Sequence, residues 1–209
     1  MTAPCAEPRY DTAIAAIDRL NATDPRMEVD GSGTRRAREL VYSDHMIACL
    51  AHLYPAASEC LRLAARAQHI CRWQIARSDY PLGREGYNAW RAACRDHHAA
   101  LVRRIMQDSG YPEPDIAHVV KLIRKEELKR DAESQALENV VGVVFVTHYL
   151  QDFVAGHGDY DEAKLLGILR KTMRKLDGVG HAAIRDISLP AAHKSLVEKS
   201  LSSTADASR

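Results

Sequence analysis

Apolar residues recur at helical spacing along almost the whole chain. Ile14, Ile17 and Leu20 share one face of a predicted helix over 10–20, which stops at Asn21 and Pro25. A loop containing Gly31, Ser32 and Gly33 follows. Leu40, Val41, Met46, Ile47 and Leu50 place a second helix at about 35–53, ending before Pro55, and a third occupies 56–73. The segment 78–83 reads as a turn. A long helix over 84–109 then ends at Gly110, and Pro112 and Pro114 open another at about 114–128, with Asp115 in its first turn.

The valine-rich run 140–146 raises the question of a strand, because valine favours β structure. Its flanks decide for helix. DAESQALE (131–138) is built from helix formers and THYLQDF (147–153) keeps the period, so one helix is predicted over about 132–155. Being apolar around its circumference, it is the expected central, buried helix. A final pair is predicted near 161–176 and 190–201, with 202–209 as a disordered tail. No alternating strand pattern and no internal repeat occurs. The expected fold class is all-α, a helical bundle forming one domain over 1–201.

Composition narrows the classes without choosing one. Hydrophobic residues make up 46% of the 209 and charged residues 27%, which fits neither wholesale disorder nor a membrane protein. The longest nearly apolar run, 140–146, is far shorter than a bilayer span requires. The N-terminal MTAPCAEPRYD lacks a basic start and an apolar core, so the expected location is the cytoplasm. Five cysteines without CxxC spacing argue against a disulfide framework or a cysteine zinc site. With 29 basic and 28 acidic side chains, no global pull on nucleic acid or membrane is expected.

The candidate chemistry lies on the predicted helices 56–73 and 84–109. At about 100° per residue, Arg84, Tyr87, Arg91 and His98 fall on one stripe with Cys94 and Ile105, a cationic seam in an apolar face. Arg62, Arg66, His69 and Trp73 repeat the pattern at i, i+4, i+7 and i+11. Buried cations require carboxylates or an anionic ligand. A histidine among cations is held neutral and serves as base or ligand, which singles out His69 and His98. Glu138, with Gln135 one turn earlier, places a carboxylate on the predicted buried helix. The charge run 121–130 offers Lys121 and Lys125 as closing cations, and 170–175 adds Lys171. Aromatics are 6% of the chain, and Trp73, Tyr80, Tyr87 and Trp90 cluster near the arginines, which leaves RNA binding open without supporting it. No P-loop, GxGxxG, HExxH or GxSxG motif occurs.

The ordered set AARAQHICRW (64–73), DYPLGREGYNAWR (79–91), HAA (98–100), LIRKE (122–126) and QALENV (135–140) resembles a helical family catalogued as a domain of unknown function (DUF4202). The residues matching its pattern include His69, Arg72, Trp73, Tyr80, Arg84, Tyr87, Trp90, Arg91, His98, Lys125, Gln135, Glu138 and Lys171. The chain departs at Asn139, where the family resembles Asp, and at His45, where a histidine is not typical. The layout is also distantly similar to the HD superfamily of metal-dependent phosphohydrolases. His45 matches its first histidine, Gln68 and His69 fall where its His-Asp pair would be, and Glu138 and Asn139 fall where its late aspartate would be.

Three expectations follow. The first is an enzyme binding a phosphorylated or other anionic small molecule, a hydrolase in which His69 or His98 is the acid–base group and Glu138 its carboxylate partner. Arg72, Trp73, Arg84, Tyr87, Arg91, Lys125, Gln135 and Lys171 would bind the substrate. The second, implied by the HD resemblance, is a divalent metal on His45, His69, His98 and Glu138. The third is a non-catalytic module that senses a nucleotide or other anion, or docks RNA.

Overall fold

The computed structural model describes residues 8–205, with side chains to residue 202. The protein is all-α: among the described residues ten α-helices account for nearly all regular structure, beside one short hairpin. None of these helices is long and apolar enough to cross a membrane. Two compact units emerge, one formed by the chain up to Ala51 with Ala56–Glu126, the other by His52–Pro55 with the chain from Glu127 on.

The first unit opens with α1 (Pro8–Asn21), then strands β1 (Met27–Val29) and β2 (Arg35–Ala37), paired antiparallel with Glu28 opposite Arg36. Sequence patterning predicts helix from 35 and misses this hairpin, because three-residue strands carry too few positions to show a period of two. Local chemistry forms the turn. Asp30 Oδ1 accepts from the Ser32 and Thr34 amides, and Gly33 takes φ 84°. Helix α2 (Arg38–Leu53) follows, and its stripe Tyr42, Met46 and Leu50 is buried.

Helix α3 (Glu59–Arg66) is capped by Ser58, whose side chain accepts from the Leu61 amide. The predicted helix 56–73 is therefore wrong at both ends. Beyond Arg66 the chain tightens into i to i−3 bonds, including Ile70 N to Ala67 O and Arg72 N to His69 O. Cys71 takes φ 52°, with its amide donating to buried Asn21 Oδ1 at 3.4 Å. His69 and Trp73 thus leave the helical face on which Arg62 and Arg66 lie. Arg66 is neutralised by Asp18 and Asp44, which answers its burial within the fold.

Helix α4 (Gly83–Asp108) ends in a Schellman motif, the Tyr111 amide reaching Met106 O while Gly110 takes φ 82°. Helix α5 (Glu113–Arg124) packs along α4 and α3. It ends in the same motif with Lys125 at the left-handed position, φ 59°, where glycine is the usual residue. Left-handed residues at Glu127 and Lys129 then keep 125–130 in turns, so the helix predicted to 128 stops four residues early.

In the second unit the valine run is helical, as its flanks predict. Helix α6 (Ala132–Val144) starts at the Asp131 cap and passes through a π turn (Phe145–Tyr149) into α7 (Leu150–Ala155). Helix α8 (Glu162–Met173) packs on α10 (Ala191–Ala205), and α9 (Gly178–Arg185) packs on α6. The two glycines and short length of α9 hid it from the pattern. Gly142 and Gly180 permit the close approach: a Cβ at Gly180 would stand 2.7 Å from Asn139 Oδ1. Helix α10 continues past the predicted end at 201, and residues 206–209 of the expected tail lie outside the described residues.

Asn139 is the polar hub of this unit and is fully buried. Its Nδ2 donates to Tyr54 Oη at 2.7 Å and Asp177 Oδ1 at 2.8 Å, while Oδ1 accepts from Gln135 Nε2 and the Asp177 amide, both at 3.1 Å. Only an amide supplies both donors and acceptors here. Asn139→Asp is expected to set two carboxylates against each other and cost about 2–4 kcal/mol at neutral pH. The introduced carboxyl holds its proton more tightly folded than unfolded, so the loss should shrink as pH falls toward 5, read by urea denaturation.

Candidate functional site

The site grows from a carboxylate in an apolar stripe. Glu39 precedes Tyr42, Met46 and Leu50 on the inward face of α2 and is 4% exposed. Burial pushes its carboxyl above the usual range, and Arg26 and Arg72 pull against that shift. Arg26 Nη2 donates to Glu39 Oε1 at 2.7 Å. The same guanidinium grips buried Asp24 through Nε and Nη2, each at 2.9 Å, and Asp24 Oδ2 accepts the Glu39 amide at 3.2 Å. The residues before the hairpin and the first turn of α2 are thereby locked together.

Glu39 Oε2 faces His69, at 3.5 Å from Nδ1. On the other side of the ring, Nε2 lies 2.8 Å from Arg72 Nη1. A guanidinium only donates, so Nε2 is the acceptor and the ring proton sits on Nδ1, toward Glu39. Buried Tyr42 stacks on the imidazole, centroids 4.1 Å apart and planes 14° apart. His69 is 22% exposed at its side chain. Burial, then Arg72, Lys125, Arg91 and Arg26, hold its proton affinity well below the ordinary imidazole value.

His98, on α4, lies 6.0 Å from His69 between ring centroids and is 2% exposed. Burial, then His69 and Arg72, keep it neutral, while the main-chain carbonyl of Gln68 works in the other direction. Its Nε2 and the Oε1 of buried Gln68 have no hydrogen-bond partner. Burial raises the Cys94 thiol, which leaves it a poor nucleophile.

The arginines beyond this core sit against aromatics. Arg72 lies over the Trp90 ring at 4.7 Å and Arg91 over Tyr87 at 5.8 Å. Among the described residues neither guanidinium has a carboxylate within ion-pair distance. The segment carrying Arg72 is held onto α4 by Trp90 Nε1, which donates to Ile75 O at 2.9 Å, and Arg77 braces the turn that leads into α4 by donating to the Tyr80 and Pro81 carbonyls. Gly86 admits that carbonyl turn, since a Cβ would stand 1.9 Å from Pro81 O.

His98 and Arg72 thus stand beside His69 in the first unit, and Arg91 and Lys125 lie near enough to depress its proton affinity. Arg84 and Tyr87 are exposed rather than part of an inward seam, and Trp73 is half-buried in the turn after His69. The carboxylate at His69 is Glu39. Glu138, expected in that role, belongs to the second unit, buried, with Lys175 Nζ 3.4 Å from Oε1. Gln135 is tied to Asn139 and to Lys175 O, and Lys171 is exposed on α8. The expected metal set does not assemble: among the described residues no three His, Cys, Asp or Glu side chains are grouped to hold an ion. His45 has Glu28 and Asp44 as its charged neighbours, so the residues present do not fit the divalent metal of the HD pattern. Sequence reasoning missed Asp24, Arg26, Glu39 and Tyr42. The signal for Glu39 was present, since it falls three residues before Tyr42 on the stripe that continues to Met46 and Leu50.

These features define an all-α protein with a histidine–arginine cluster seated on a buried carboxylate. A model of the family described as domain of unknown function (DUF4202) matches residues 11–197, and the chain belongs to that family. No curated protein and no solved structure matches it.

Both histidines resist protonation in the folded state, so below about pH 6.5 the unfolded chain binds protons that the folded chain refuses. Stability should therefore fall as pH drops through 6.5. Glu39 acts oppositely: its raised proton affinity favours the fold at low pH, and that contribution fades as pH rises above 4.5. Thermal midpoints between pH 7.5 and 5.5 should decline less steeply in the His69→Gln/His98→Gln double variant than in the parent. Parallel slopes would refute the assignment.

Proposed function

We propose that the first unit binds a phosphorylated or other anionic small molecule at the cations around His69 and hydrolyses it by acid–base chemistry on that imidazole. One observation carries the reading: a neutral histidine sits between Glu39 and Arg72, and the guanidiniums of Arg72 and Arg91 lack carboxylate partners among the described residues. Two half-buried cations, Arg72 with one donor on His69 Nε2 and both against aromatic rings, keep further donors for an anion and have no carboxylate beside them among the described residues.

The chemistry is that of a phosphate ester. The anion draws the Arg72 guanidinium away from His69 Nε2, and the freed lone pair accepts a proton from water. The water oxygen forms a bond to phosphorus and the bond from phosphorus to the leaving oxygen breaks. The proton on Nε2 then passes to that leaving oxygen. Glu39 orients the ring through Nδ1 and stabilises the imidazolium while it exists. Arg72, Arg91 and Lys125 offset charge on the non-bridging oxygens. Lys125 supports this assignment from the backbone, because a non-glycine residue is kept at φ 59° where glycine would cost less.

Hydrolysis of a panel of phosphate monoesters tests the reading. His69→Asn should reduce turnover by about 10²-fold or more, and Glu39→Gln should reduce it less. Inorganic phosphate should raise the thermal midpoint of the parent and of His69→Asn, and should fail to do so in the Arg72→Ala/Arg91→Ala double variant. Absence of stabilisation by phosphate or any ester overturns the reading, and stabilisation without turnover across the panel overturns its catalytic half. Lys125→Gly should stabilise the ligand-free fold by about 1 kcal/mol by relieving the left-handed conformation, while weakening phosphate binding in the same thermal assay.

A further inference from the structure

The chain has two tryptophans and two phenylalanines in 209 residues, yet both tryptophans and two tyrosines fall within 73–90, beside the cations of the site. Tyr87 is 44% exposed, one of few large apolar side chains left so open among the described residues. It lies on the first turns of α4 with Arg84 three residues before it and Arg91 four residues after, so cations flank the ring along one helix face. The Trp90 ring meets it at 5.8 Å and 45°, and Arg91 lies over it at 5.8 Å. Through Trp90 the platform is continuous with Arg72 at 4.7 Å, and Arg72 reaches His69 at 2.8 Å. Arg91 serves both ends, since it stands over Tyr87 and also depresses the proton affinity of His69.

Accepting the anion site proposed above, we infer that its ligand is a nucleoside monophosphate, with the base stacked on Tyr87 and the phosphate among Arg72, Arg91 and Lys125. An exposed aromatic between cations offers a flat π surface to a flat ring and electrostatic attraction to the charge that ring carries with it. A ligand that is anionic but not aromatic uses the arginines and leaves Tyr87 idle. A purely apolar partner is poorly served by a ring with Arg84 and Arg91 on either side.

Calorimetric titration of the full chain with inorganic phosphate, ribose 5-phosphate, adenosine and uridine monophosphates, and a short oligoribonucleotide separates the cases. The nucleoside monophosphates should bind about tenfold or more tightly than ribose 5-phosphate, and should quench tryptophan fluorescence through Trp90. In Tyr87→Ala that advantage should disappear, and in Tyr87→Phe it should return. Tyr87 is exposed, so neither substitution threatens the core. Equal affinity for ribose 5-phosphate and the nucleotides, with phosphate still bound, overturns the platform and leaves the anion site standing. No binding of phosphate either brings down the anion site itself. Binding of the oligoribonucleotide alone overturns the mononucleotide assignment in favour of single-stranded RNA.

Discussion

A carboxylate placed in the apolar stripe of a helix has to be answered, and much of the first unit is the answer to Glu39. Arg26 meets one oxygen and is itself fixed by Asp24, which also takes the Glu39 amide. His69 meets the other oxygen. These contacts join the loop after α1, the start of α2 and the turn after α3, three segments separated along the chain by the hairpin and by α2 and α3. A charge pair buried for stability alone gains little over apolar packing. The arrangement is better understood as a device for setting one tautomer of His69 and one direction for its lone pair.

In the second unit the cluster around Asn139 shows the complementary case, in which the polar side chains are tied into the fold. Asn139 makes four hydrogen bonds, Asp177 caps α9 through the Val179 and Gly180 amides, and Gln135 spans Asn139 and the Lys175 carbonyl. Nothing in that cluster is left over for a ligand. Around His69, by contrast, two guanidiniums have no carboxylate within ion-pair distance among the described residues, Arg72 donating to His69 Nε2, and Gln68 and His98 each keep a buried polar atom without a partner. The two clusters differ in how fully their polar groups are paired within the chain.

Much of the helical layout was legible in the pattern of apolar residues. The long helix α4, the valine-rich α6 and the ends at Gly110 and Asp131 follow from periodicity and cap chemistry. The misreadings share a cause. Helix α5 stops early because Lys125 adopts left-handed backbone, and beyond Arg66 the chain leaves α3 in i to i−3 turns that end at left-handed Cys71, conformations the side chains do not advertise. The hairpin and α9 are too short to express a period. Because α3 ends at Arg66, His69 is presented by a turn, and the helical face that connected it to Arg62 and Arg66 does not exist.

The sequence by itself determined the fold class, the family and the list of residues that are hard to bury without a partner: His69, His98, Arg72, Arg91, Lys125 and Glu138. It could not choose among their pairings, because each of several carboxylates would satisfy a buried histidine equally well in one dimension. Tertiary structure made that choice. Packing of α2 against the turn after α3 brought Glu39 to His69, and separate packing within the second unit placed Glu138 beside Lys175. Which cation stands beside a carboxylate, and which does not, is a property of distances between segments far apart in the chain. Local propensity carries no record of those distances.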